Sequence, residues 1–567
     1  MKPLTITFFA AILFTSCGSK QVEIASSPTS PPPQSIELIS TNTDGDSKPK
    51  LVLGITVDQM RYDYITRYWD DYSDSGFKRL LGEGFNFKDT HYPYAPTFTG
   101  PGHASIYTGT TPSYHGIIGN NWYSRSKGRE MYCAEDQDVL GVGYFGPGSQ
   151  MSPKNLKSST IGDQLKLASN FRSKVIGISL KDRGAILPAG KAADAAYWYI
   201  GADLGHWSSS NYYMDELPQW VRNYNQSNKA EDMLASTWDL LHPESTYDES
   251  AEDNNPFEAP FSGSLTPTFP YVMADLAEKN GYFDVLRSTP FGNSLVAQLA
   301  EEAILNEALG KDEFTDLLAI SFSSPDFIGH QFGPHSREAQ DIYLRLDLTI
   351  AKLLNFLDET VGKNQYLVFL TADHGAAHAP SFLKANKMGA DYWNSAQMLY
   401  QIEKRLSEEF GTGSYIESYS NDQFYLNNAL LSRKQIDRNE VNEIIIEEAL
   451  AVEGVAKVIP TNVFINGNFQ DPILKNLQMG CSQKLSGDLV LILEPGWITY
   501  GPRGTTHGSA YPYDTHVPFV LFGSGVSHGT SSERTEIIDI APTVCSLLGI
   551  QMPNACIGRN LETTMQQ

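Results

Sequence analysis

Six side chains that can bind a metal ion follow apolar runs or lie in glycine-containing turns of the sequence. In SSPDFIGHQFG, Asp326 and His330 are four positions apart, so one helical turn would direct both at the same point. The full set, which offers only oxygen and nitrogen donors, is Asp58, Asp326, His330, Asp373, His374 and His507. Three carboxylates and three imidazoles suit two divalent cations, and zinc in particular accepts such mixed ligands.

Taken singly, each of these motifs also fits an ordinary structural role. An aspartate that follows a strand, such as Asp58 in ITVDQMR, is commonly a turn former or a helix cap. A lone histidine, such as His507 in GTTHGSAYPYDTHVP, is commonly a buried structural residue. The metal interpretation therefore requires that all six side chains converge on one edge of one sheet.

The stretch APTFTGPGHASIYTG, residues 95–109, contains a hydroxyl suited to nucleophilic attack. Thr99 stands immediately before a Gly-Pro-Gly turn and a predicted helix, where backbone N–H groups and the helix dipole favour an anion. Simple capping of the helix is the alternative role. Beside two metal ions, the pKa of the Thr99 hydroxyl would fall, so that it attacks a phosphorus or carbonyl centre. The other hydroxyls of the stretch lack this position, and His103 is expected to pack within the helix.

Short runs rich in β-branched residues alternate with longer amphipathic segments, which is typical of an α/β fold with a mostly parallel sheet. The predicted strands are 51–58, 174–182, 317–326, 366–375, 488–496 and 517–523, and the predicted helices include 292–310, 336–360 and 539–549. Ligands bind beyond the carboxyl ends of parallel strands, where Asp58, Asp326, Asp373 and His374 fall. Long aromatic, loop-rich stretches at about 190–290 and 380–486 are interpreted as insertions that cover the site.

The N-terminus is typical of an exported protein. Residues 1–17 combine Lys2, an apolar run and Cys17 after small residues, which predicts a lipoprotein signal with Cys17 acylated. An ordinary cleaved signal peptide is the alternative, because Phe14 stands where a smaller aliphatic residue is usual. Residues 18–49 are rich in Ser, Thr, Pro and Gln and are predicted to be a disordered linker before the domain of residues 50–567. The expected location is the periplasm or the cell surface.

The composition limits the partners of the chain. Its 567 residues carry a formal net charge of -24, without a basic patch, which excludes nucleic acid and anionic membranes as main partners. After Cys17, the remaining cysteines would lie in an oxidising compartment where pairing is permitted. Cys545 and Cys556 are close enough in sequence to bridge, but the connectivity and the oligomeric state stay open.

Seven motifs resemble, in order and spacing, the alkaline phosphatase superfamily and within it the PafA-type enzymes. They are TVDQMR, TFTGPGHASIYTG, HGIIGNNW, LKDRGAILPAG, SSPDFIGHQFG, TADHG and GTTHGS. The resemblance covers nearly the whole chain from about residue 50. It implies a three-layer α/β/α core with inserted cap segments. It also implies a phosphomonoesterase similar in its core to nucleotide pyrophosphatase/phosphodiesterases, acting on small-molecule phosphate esters.

The same resemblance implies roles for individual residues. One zinc ion would be bound by Asp326, His330 and His507. The second would be bound by Asp58, Asp373, His374 and the nucleophile Thr99, which would form a phosphothreonine that water hydrolyses. The residues that match the phosphoryl contacts of PafA-type enzymes are Asn120, Lys181 and Arg183. A monoester dianion carries a charged oxygen that a diester lacks, so cations at these positions favour phosphate monoesters.

Other functions are alternatives to this interpretation. A nucleotide pyrophosphatase or phosphodiesterase would use the same metals and Thr99. A sulfatase would need Cys or Ser in a C/S-x-P-x-R setting, whereas Thr99 is followed by GPGH. GVSHG, residues 525–529, matches a serine-hydrolase nucleophile elbow, but TSSERTEIID after it is a poor helix start. A non-catalytic lipoprotein that binds a ligand is disfavoured by the complete set of ligands and a nucleophile.

Overall fold

The computed structural model describes residues 48–566. The predicted signal peptide with Cys17, and the predicted linker except its last two residues, lie outside the described residues. The strands are β1 (Leu51–Val57), β2 (Phe85–His91), β3 (Asn121–Ser124), β4 (Arg129–Tyr132), β5 (Gly141–Val142), β6 (Val175–Ser179), β7 (Ala195–Ile200), β8 (His206–Ser210), β9 (Thr237–Trp238), β10 (Tyr271–Val272), β11 (Asp316–Phe322), β12 (Tyr366–Thr371), β13 (Ile416–Ser420), β14 (Gln423–Leu426), β15 (Val455–Pro460), β16 (Leu489–Leu493), β17 (His516–Gly523) and β18 (Gly529–Glu536).

The α-helices vary widely in length, and the longest flank the large sheet. They are α1 (Asp63–Arg67), α2 (Phe77–Glu83), α3 (Thr99–Thr108), α4 (Pro112–His115), α5 (Ile161–Ala168), α6 (Asp182–Ala189), α7 (Gln219–Asn225), α8 (Lys229–Leu234), α9 (Met273–Ala277), α10 (Pro290–Asn306), α11 (Ser324–Phe332), α12 (Arg337–Leu357), α13 (Pro380–Ala385), α14 (Ser395–Phe410), α15 (Asn428–Lys434), α16 (Arg438–Leu450), α17 (Thr461–Asn466), α18 (Pro472–Gly480), α19 (Pro512–Thr515), α20 (Ile540–Leu547) and α21 (Glu562–Met565).

A ten-stranded sheet lies at the centre of the fold, in the order β18-β2-β17-β12-β1-β11-β6-β7-β8-β5. Strand β1 pairs in parallel with both β11 and β12, and β6 and β7 continue the parallel arrangement. Antiparallel pairs join β17 to β12 and to β2, and β8 to β7. The predicted α/β fold is confirmed, with antiparallel strands on both sides of the parallel centre.

Burial on both faces explains why the central strands are nearly continuous apolar runs. Every residue of β1 (LVLGITV), β11 (DLLAISF) and β12 (YLVFLT) is buried, as expected for parallel strands with helices on both sides. Helix α12 packs against this sheet with one apolar stripe. Its members at helical spacing are each fully buried: Ile342, Leu346, Ile350, Leu353 and Leu357.

One predicted core strand belongs to a different sheet. The run DLVLILEPG forms β16, which lies in a four-stranded sheet of order β13-β14-β16-β15. Leu489 and Leu491 pack into one apolar cluster, whereas Val490 and Ile492 pack into another. Since both faces of β16 are covered, its sequence has the same apolar continuity as a central parallel strand, and periodicity alone could not separate the two.

The two predicted insertions have different relations to the large sheet. The four-stranded sheet and helices α13–α18 occupy the predicted insertion at about 380–486 and continue to residue 493. Strands β7 and β8, in contrast, belong to the ten-stranded sheet, which therefore extends into the segment at about 190–290. Cys545 and Cys556 are free, as are the other cysteines within residues 48–566. Over the same range, no helix combines the length and apolar character that crossing a membrane requires.

Candidate metal centre and nucleophile

The carboxyl ends of neighbouring strands bring the predicted metal ligands to one edge of the large sheet. Asp58 directly follows β1, and Asp373 and His374 follow β12 after one intervening residue. Asp326 lies in the first turn of α11, which begins two residues after β11, and His330 lies one turn further on. His507 approaches from the loop before α19 and β17.

The ligand atoms of these residues form two overlapping groups. The first consists of Asp58, Asp373 and His374, and the second of Asp326, His374 and His507; within each group the atoms lie within 4.8 Å of one another. His330 lies beside the second group, with Nε2 3.1 Å from Oδ1 of Asp326. All six predicted ligands are therefore close together, and His374 contributes to both groups rather than to one.

The three histidines have a common orientation. Nδ1 of His330, His374 and His507 each donates to a backbone carbonyl oxygen, at 2.8, 3.0 and 2.7 Å. In a neutral ring this leaves Nε2 as the ligand atom, which is how proteins orient histidines that bind metals. Burial lowers the pKa of His374 and His507. For His330, burial also acts to lower the pKa, but the neighbouring Asp326 carboxylate has the larger effect, and the pKa of His330 is raised.

Several buried atoms of the first group lack a hydrogen-bond partner among the described residues, namely Asp58 Oδ1, Asp373 Oδ2 and His374 Nε2. His374 Nε2 lies 3.5 Å from each of these two carboxylates. Asp373 Oδ2 also lies 3.2 Å from Nδ1 of His103, but that N–H is directed at the Thr99 carbonyl oxygen, to which it donates at 2.9 Å. Buried polar atoms left unpaired are costly, and a divalent cation would satisfy all three. The residues present therefore fit a divalent metal ion.

The electrostatics of the carboxylates also favour a cation. Burial raises the pKa of Asp58 well above its usual value, and the neighbouring Asp373 raises it further. Burial also raises the pKa of Asp326, but His330 and Lys181 outweigh this effect and lower it well below its usual value. Three buried carboxylates repel one another when ionised, so positive charge among them stabilises the ionised forms.

Lys181 supplies one such charge. Its Nζ donates to Oδ2 of Asp58 at 2.7 Å and to Oδ2 of Asp326 at 2.5 Å, so that it bridges the two ligand groups. Burial lowers the pKa of Lys181, but the two carboxylates outweigh this effect and raise it. Sequence reasoning predicted a contact between Lys181 and a phosphoryl group; the structure places its ammonium between two predicted metal ligands.

Thr99 is the first residue of α3, is buried, and faces Arg183, whose Nη2 lies 3.5 Å from Oγ1 of Thr99. Phe98 occupies the N-cap position without a side-chain cap bond, so capping is not the role of Thr99. Helix α3 approaches Asp373 so closely at Gly102 that a Cβ added there would lie 2.3 Å from the Asp373 carbonyl oxygen. His103 Nδ1, which donates to the Thr99 carbonyl oxygen at 2.9 Å, lies 3.2 Å from Asp373 Oδ2, so the backbone of Thr99 is close to the Asp373 carboxylate.

The N-terminus of α3 has fewer backbone N–H donors for a bound anion than the sequence predicts. The Gly100 N–H donates to Oδ1 of Asn120 at 2.7 Å, and the Gly102 N–H donates to the Phe98 carbonyl oxygen. Pro101 has no N–H to offer. Because these backbone donors are occupied or absent, the side chains of Asn120 and Arg183 are the donors beside Thr99.

Sequence reasoning missed Gln59 and gave His103 only a packing role. The Gln59 backbone N–H donates to Asp373 Oδ1 at 3.1 Å, and its Nε2 donates to Asp326 Oδ1 at 2.7 Å. His103 is fully buried and lies between Asp373 and Ser321, whose Oγ is 2.8 Å from His103 Nε2. The only available signal was that Gln59 directly follows Asp58 in TVDQMR.

Tyr132 is a further residue that the motifs did not reveal. Its hydroxyl donates to Oδ1 of Asp182 and accepts from Nη1 of Arg183 at 3.1 Å. Strand β4 ends at Tyr132, which is 51 positions from Arg183 and stands in none of the seven motifs. Its contribution is to fix the guanidinium of Arg183 near Thr99.

Comparison with known proteins places the chain in a family. The model of the family "Type I phosphodiesterase / nucleotide pyrophosphatase" matches residues 52–517. A Myroides odoratus protein named calcium-transporting ATPase is 44% identical over 92% of this chain and 95% of its own. Alkaline phosphatase PafA of Elizabethkingia meningoseptica is 41% identical over 91% of this chain and 94% of its own. A crystal structure of wild-type PafA covers 91% of this chain and 98% of that one, with a TM-score of 0.87 and 41% identity.

The match of the family model over most of the chain agrees with the α/β fold and with the convergence of the predicted ligands at the edge of the sheet. The similarity to PafA extends over both the large sheet and the four-stranded sheet, since it covers 91% of the chain. The protein therefore belongs to the type I phosphodiesterase/nucleotide pyrophosphatase family, in which the PafA-type alkaline phosphatases are among its relatives.

Proposed function

We propose that the protein is a metal-dependent phosphomonoesterase, an alkaline phosphatase, with Thr99 as its nucleophile. The observation that carries the proposal is the convergence of two overlapping ligand groups, which His103 links to the N-terminal end of α3, where Thr99 is the first residue. The similarity to alkaline phosphatase PafA over 91% of the chain supports phosphate monoesters as the substrates. The formal net charge of -24 is consistent with a small phosphate ester rather than a nucleic acid as the substrate.

We assign two zinc ions to the site. The residues proposed for the first are Asp326, His330 and His507. Those proposed for the second are Asp58, Asp373 and His374, together with Thr99. The unpaired Nε2 of His374 and the unpaired carboxylate oxygens of Asp58 and Asp373 support this assignment, because zinc accepts such mixed nitrogen and oxygen ligands. Zinc bound there would lower the pKa of a hydroxyl ligand and offset negative charge on the phosphoryl and leaving oxygens.

The covalent steps belong to Thr99. Its Oγ1 attacks phosphorus as the bond from phosphorus to the ester oxygen breaks; the alcohol leaves with a proton, and Thr99 carries the phosphoryl group. Water then attacks the same phosphorus, inorganic phosphate departs, and the hydroxyl of Thr99 is restored. Arg183 lies 3.5 Å from the attacking oxygen through Nη2, so its guanidinium is placed to bind phosphoryl oxygens in both steps.

Three side chains would distinguish monoesters from diesters. Asn120 accepts from the Gly100 N–H through Oδ1, which leaves its Nδ2 as a donor for a phosphoryl oxygen. Arg183 adds a positive charge 3.5 Å from Oγ1 of Thr99, and Lys181 adds one between the two ligand groups. A monoester dianion gains more from these charges than a diester monoanion does.

The test is a comparison of two esters on zinc-loaded protein. Turnover of p-nitrophenyl phosphate should exceed that of methyl p-nitrophenyl phosphate by orders of magnitude. Replacing both Lys181 and Arg183 with Ala should reduce monoester turnover more than diester turnover, because only the monoester has the additional charged oxygen. Equal losses for the two esters would remove the basis for the monoesterase assignment.

The match to the phosphodiesterase family model favours one alternative, a nucleotide pyrophosphatase or phosphodiesterase with the same ligands and Thr99. In that case the diester would be the faster substrate in the comparison above. If neither ester reacts after zinc is added, the interpretation as a non-catalytic binding protein returns.

We also propose that the protein is exported and lipid-anchored in the periplasm or at the cell surface. The support is the N-terminal sequence, with its apolar run before Cys17. Metabolic labelling with a fatty acid should mark the wild-type protein and not the Cys17→Ser variant. Labelling of both would refute acylation at this cysteine.

A further inference from the structure

A cavity of about 410 Å³ lies beside the candidate metal centre. Its wall includes His507 and Thr506 on one side and Phe98, which immediately precedes Thr99, on the other. His507 is the only one of the six predicted metal ligands on the cavity wall within the described residues. The cavity therefore begins at the ligand group of Asp326 and His507, not at that of Asp58 and Asp373.

The far wall of the cavity is apolar. It is formed by the face of β16 that carries Val490 and Ile492, and by Leu477 and Ile473 of helix α18. Val490, Ile492 and Leu477 belong to a single apolar cluster, and Ile473 packs against it. Trp497 adds an aromatic side chain. A pocket with such walls suits an apolar group of the size of an aromatic ring.

The polar lining of the cavity includes carboxyl groups but no lysine or arginine side chain among the described residues. Two carboxylic acids, Asp422 and Asp514, line it instead. A second anionic group on a ligand would find no cation here and would face these carboxyl groups.

The position of Thr99 determines which part of a substrate would enter the cavity. In the assignment proposed above, Thr99 belongs with Asp58, Asp373 and His374, so its Oγ1 attacks from the side of that group; His103 Nδ1, which donates to the Thr99 carbonyl oxygen, lies 3.2 Å from Asp373 Oδ2. In phosphoryl transfer the attacking and leaving oxygens are roughly in line on opposite sides of phosphorus. The leaving oxygen is therefore directed towards the side of Asp326 and His507, where the cavity begins.

We propose that this cavity binds the alcohol portion of the substrate and selects monoesters of uncharged aromatic or other bulky apolar alcohols. The inference rests on the proposed function, because it takes Thr99 as the nucleophile of a phosphomonoesterase. It adds a substrate class: apolar alcohols gain contacts with the cavity wall, and alcohols that carry a further anionic group lose affinity.

Three esters of primary alcohols with similar leaving-group reactivity test the proposal: ethyl phosphate, 2-phenylethyl phosphate and 2-(4-carboxyphenyl)ethyl phosphate. On zinc-loaded full-length protein, kcat/KM for the phenylethyl ester should exceed that for ethyl phosphate at least tenfold, because its ring is buried. The carboxylate should cancel most of this gain. Values within twofold of one another would overturn the cavity assignment. Absence of turnover with all three esters would instead refute the proposed phosphomonoesterase.

Variants of the cavity wall separate binding of the alcohol from catalysis. Ala510→Phe should fill part of the cavity and reduce kcat/KM for the phenylethyl ester at least fivefold, with ethyl phosphate changed less than twofold. Ile473→Ala shortens a side chain of the cavity wall, so it removes an apolar contact with the ring without obstructing the cavity. It should raise KM for the phenylethyl ester about threefold. Lys475→Ala, on the exposed side of the same helix, is the matched control and should change neither ester. Equal effects of Ala510→Phe and Ile473→Ala on the two esters would contradict the proposal.

Discussion

The side-chain amide of Gln59 donates a 2.7 Å hydrogen bond to Oδ1 of Asp326, although the two residues are 267 positions apart in the chain. The backbone N–H of Gln59 donates at the same time to Oδ1 of Asp373. Gln59 has a φ of 67°, a conformation that is uncommon for residues other than glycine. One residue thus orients a carboxylate in each of the two ligand groups, and this accounts for a backbone conformation that would otherwise be unfavourable.

Replacement of Gln59 should weaken metal binding rather than the chemical step. Gln59→Leu leaves Asp326 without its amide donor, so the affinity for zinc should fall about 10- to 100-fold, the usual effect of losing a residue that orients a metal ligand. Titration of activity against buffered free zinc measures the shift, and kcat at saturating zinc should change little. Gln164→Leu, a buried glutamine that donates to Ser159, is the control. An unchanged zinc titration would refute this positioning role.

Removal of the Thr99 hydroxyl should abolish turnover without loss of metal. Thr99→Ala removes the nucleophile but none of the six carboxylate and imidazole ligands, so kcat should fall by at least 10³-fold while the zinc content stays near that of the wild type. Thr99→Ser keeps a hydroxyl and should retain much of the activity. Elemental analysis and phosphatase assays on the same samples check both expectations. A Thr99→Ala variant with wild-type turnover would refute the nucleophile assignment.

The convergence of the six proposed ligands could be predicted from the sequence because their position depends on strands that can be recognised. Asp58, Asp373 and Asp326 follow strands whose apolar continuity is unmistakable, and parallel strands bring their carboxyl ends to one edge. The assignment of β16 to the large sheet was wrong, since burial on both faces produces the same pattern in a small antiparallel sheet. A continuous run of apolar residues indicates that a strand is buried on both faces, but it does not indicate which sheet the strand joins.

The contacts that orient the ligands could not be predicted from the sequence. Gln59 and Tyr132 act through hydrogen bonds to residues distant in the chain, and neither stands in a motif that specifies its partner. The helix N-terminus at Thr99 was expected to offer backbone donors, but the Asn120 side chain occupies the Gly100 N–H. Such pairings depend on side-chain packing between separate segments, which local sequence does not encode.

His115 should make the stability of the protein depend on pH. The side chain is fully buried, its Nδ1 accepts from the Ile117 N–H, and its Nε2 lies 2.9 Å from the Ser105 hydroxyl. Burial lowers the pKa of His115 to about 3. Between this value and the ordinary pKa near 6.5, the unfolded chain binds a proton that the folded protein does not, so the free energy of unfolding falls as pH decreases.

The expected contribution of His115 is a loss of about 2 kcal/mol between pH 7.5 and pH 5, at about 1.4 kcal/mol for each pH unit below 6.5. Urea unfolding at several pH values measures it. His115→Asn retains an acceptor for the Ile117 N–H but has no group that titrates in this range, so its pH dependence should be weaker by that amount. If both proteins show the same pH dependence, burial of His115 does not shift its pKa as described.

Tyr132 should affect monoesters through Arg183. Tyr132→Phe removes the hydroxyl that accepts from Nη1 of Arg183, so the guanidinium beside Thr99 is less well fixed. We expect kcat/KM for a monoester to fall about 5- to 10-fold, with a diester changed less than twofold. In an Arg183→Ala background, Tyr132→Phe should have no further effect, because the two residues act as one unit. Tyr213→Phe, which removes a hydroxyl from a tyrosine packed against the same apolar cluster, is the control. Additive losses in the variant that combines Tyr132→Phe with Arg183→Ala would show that Tyr132 does not act through Arg183.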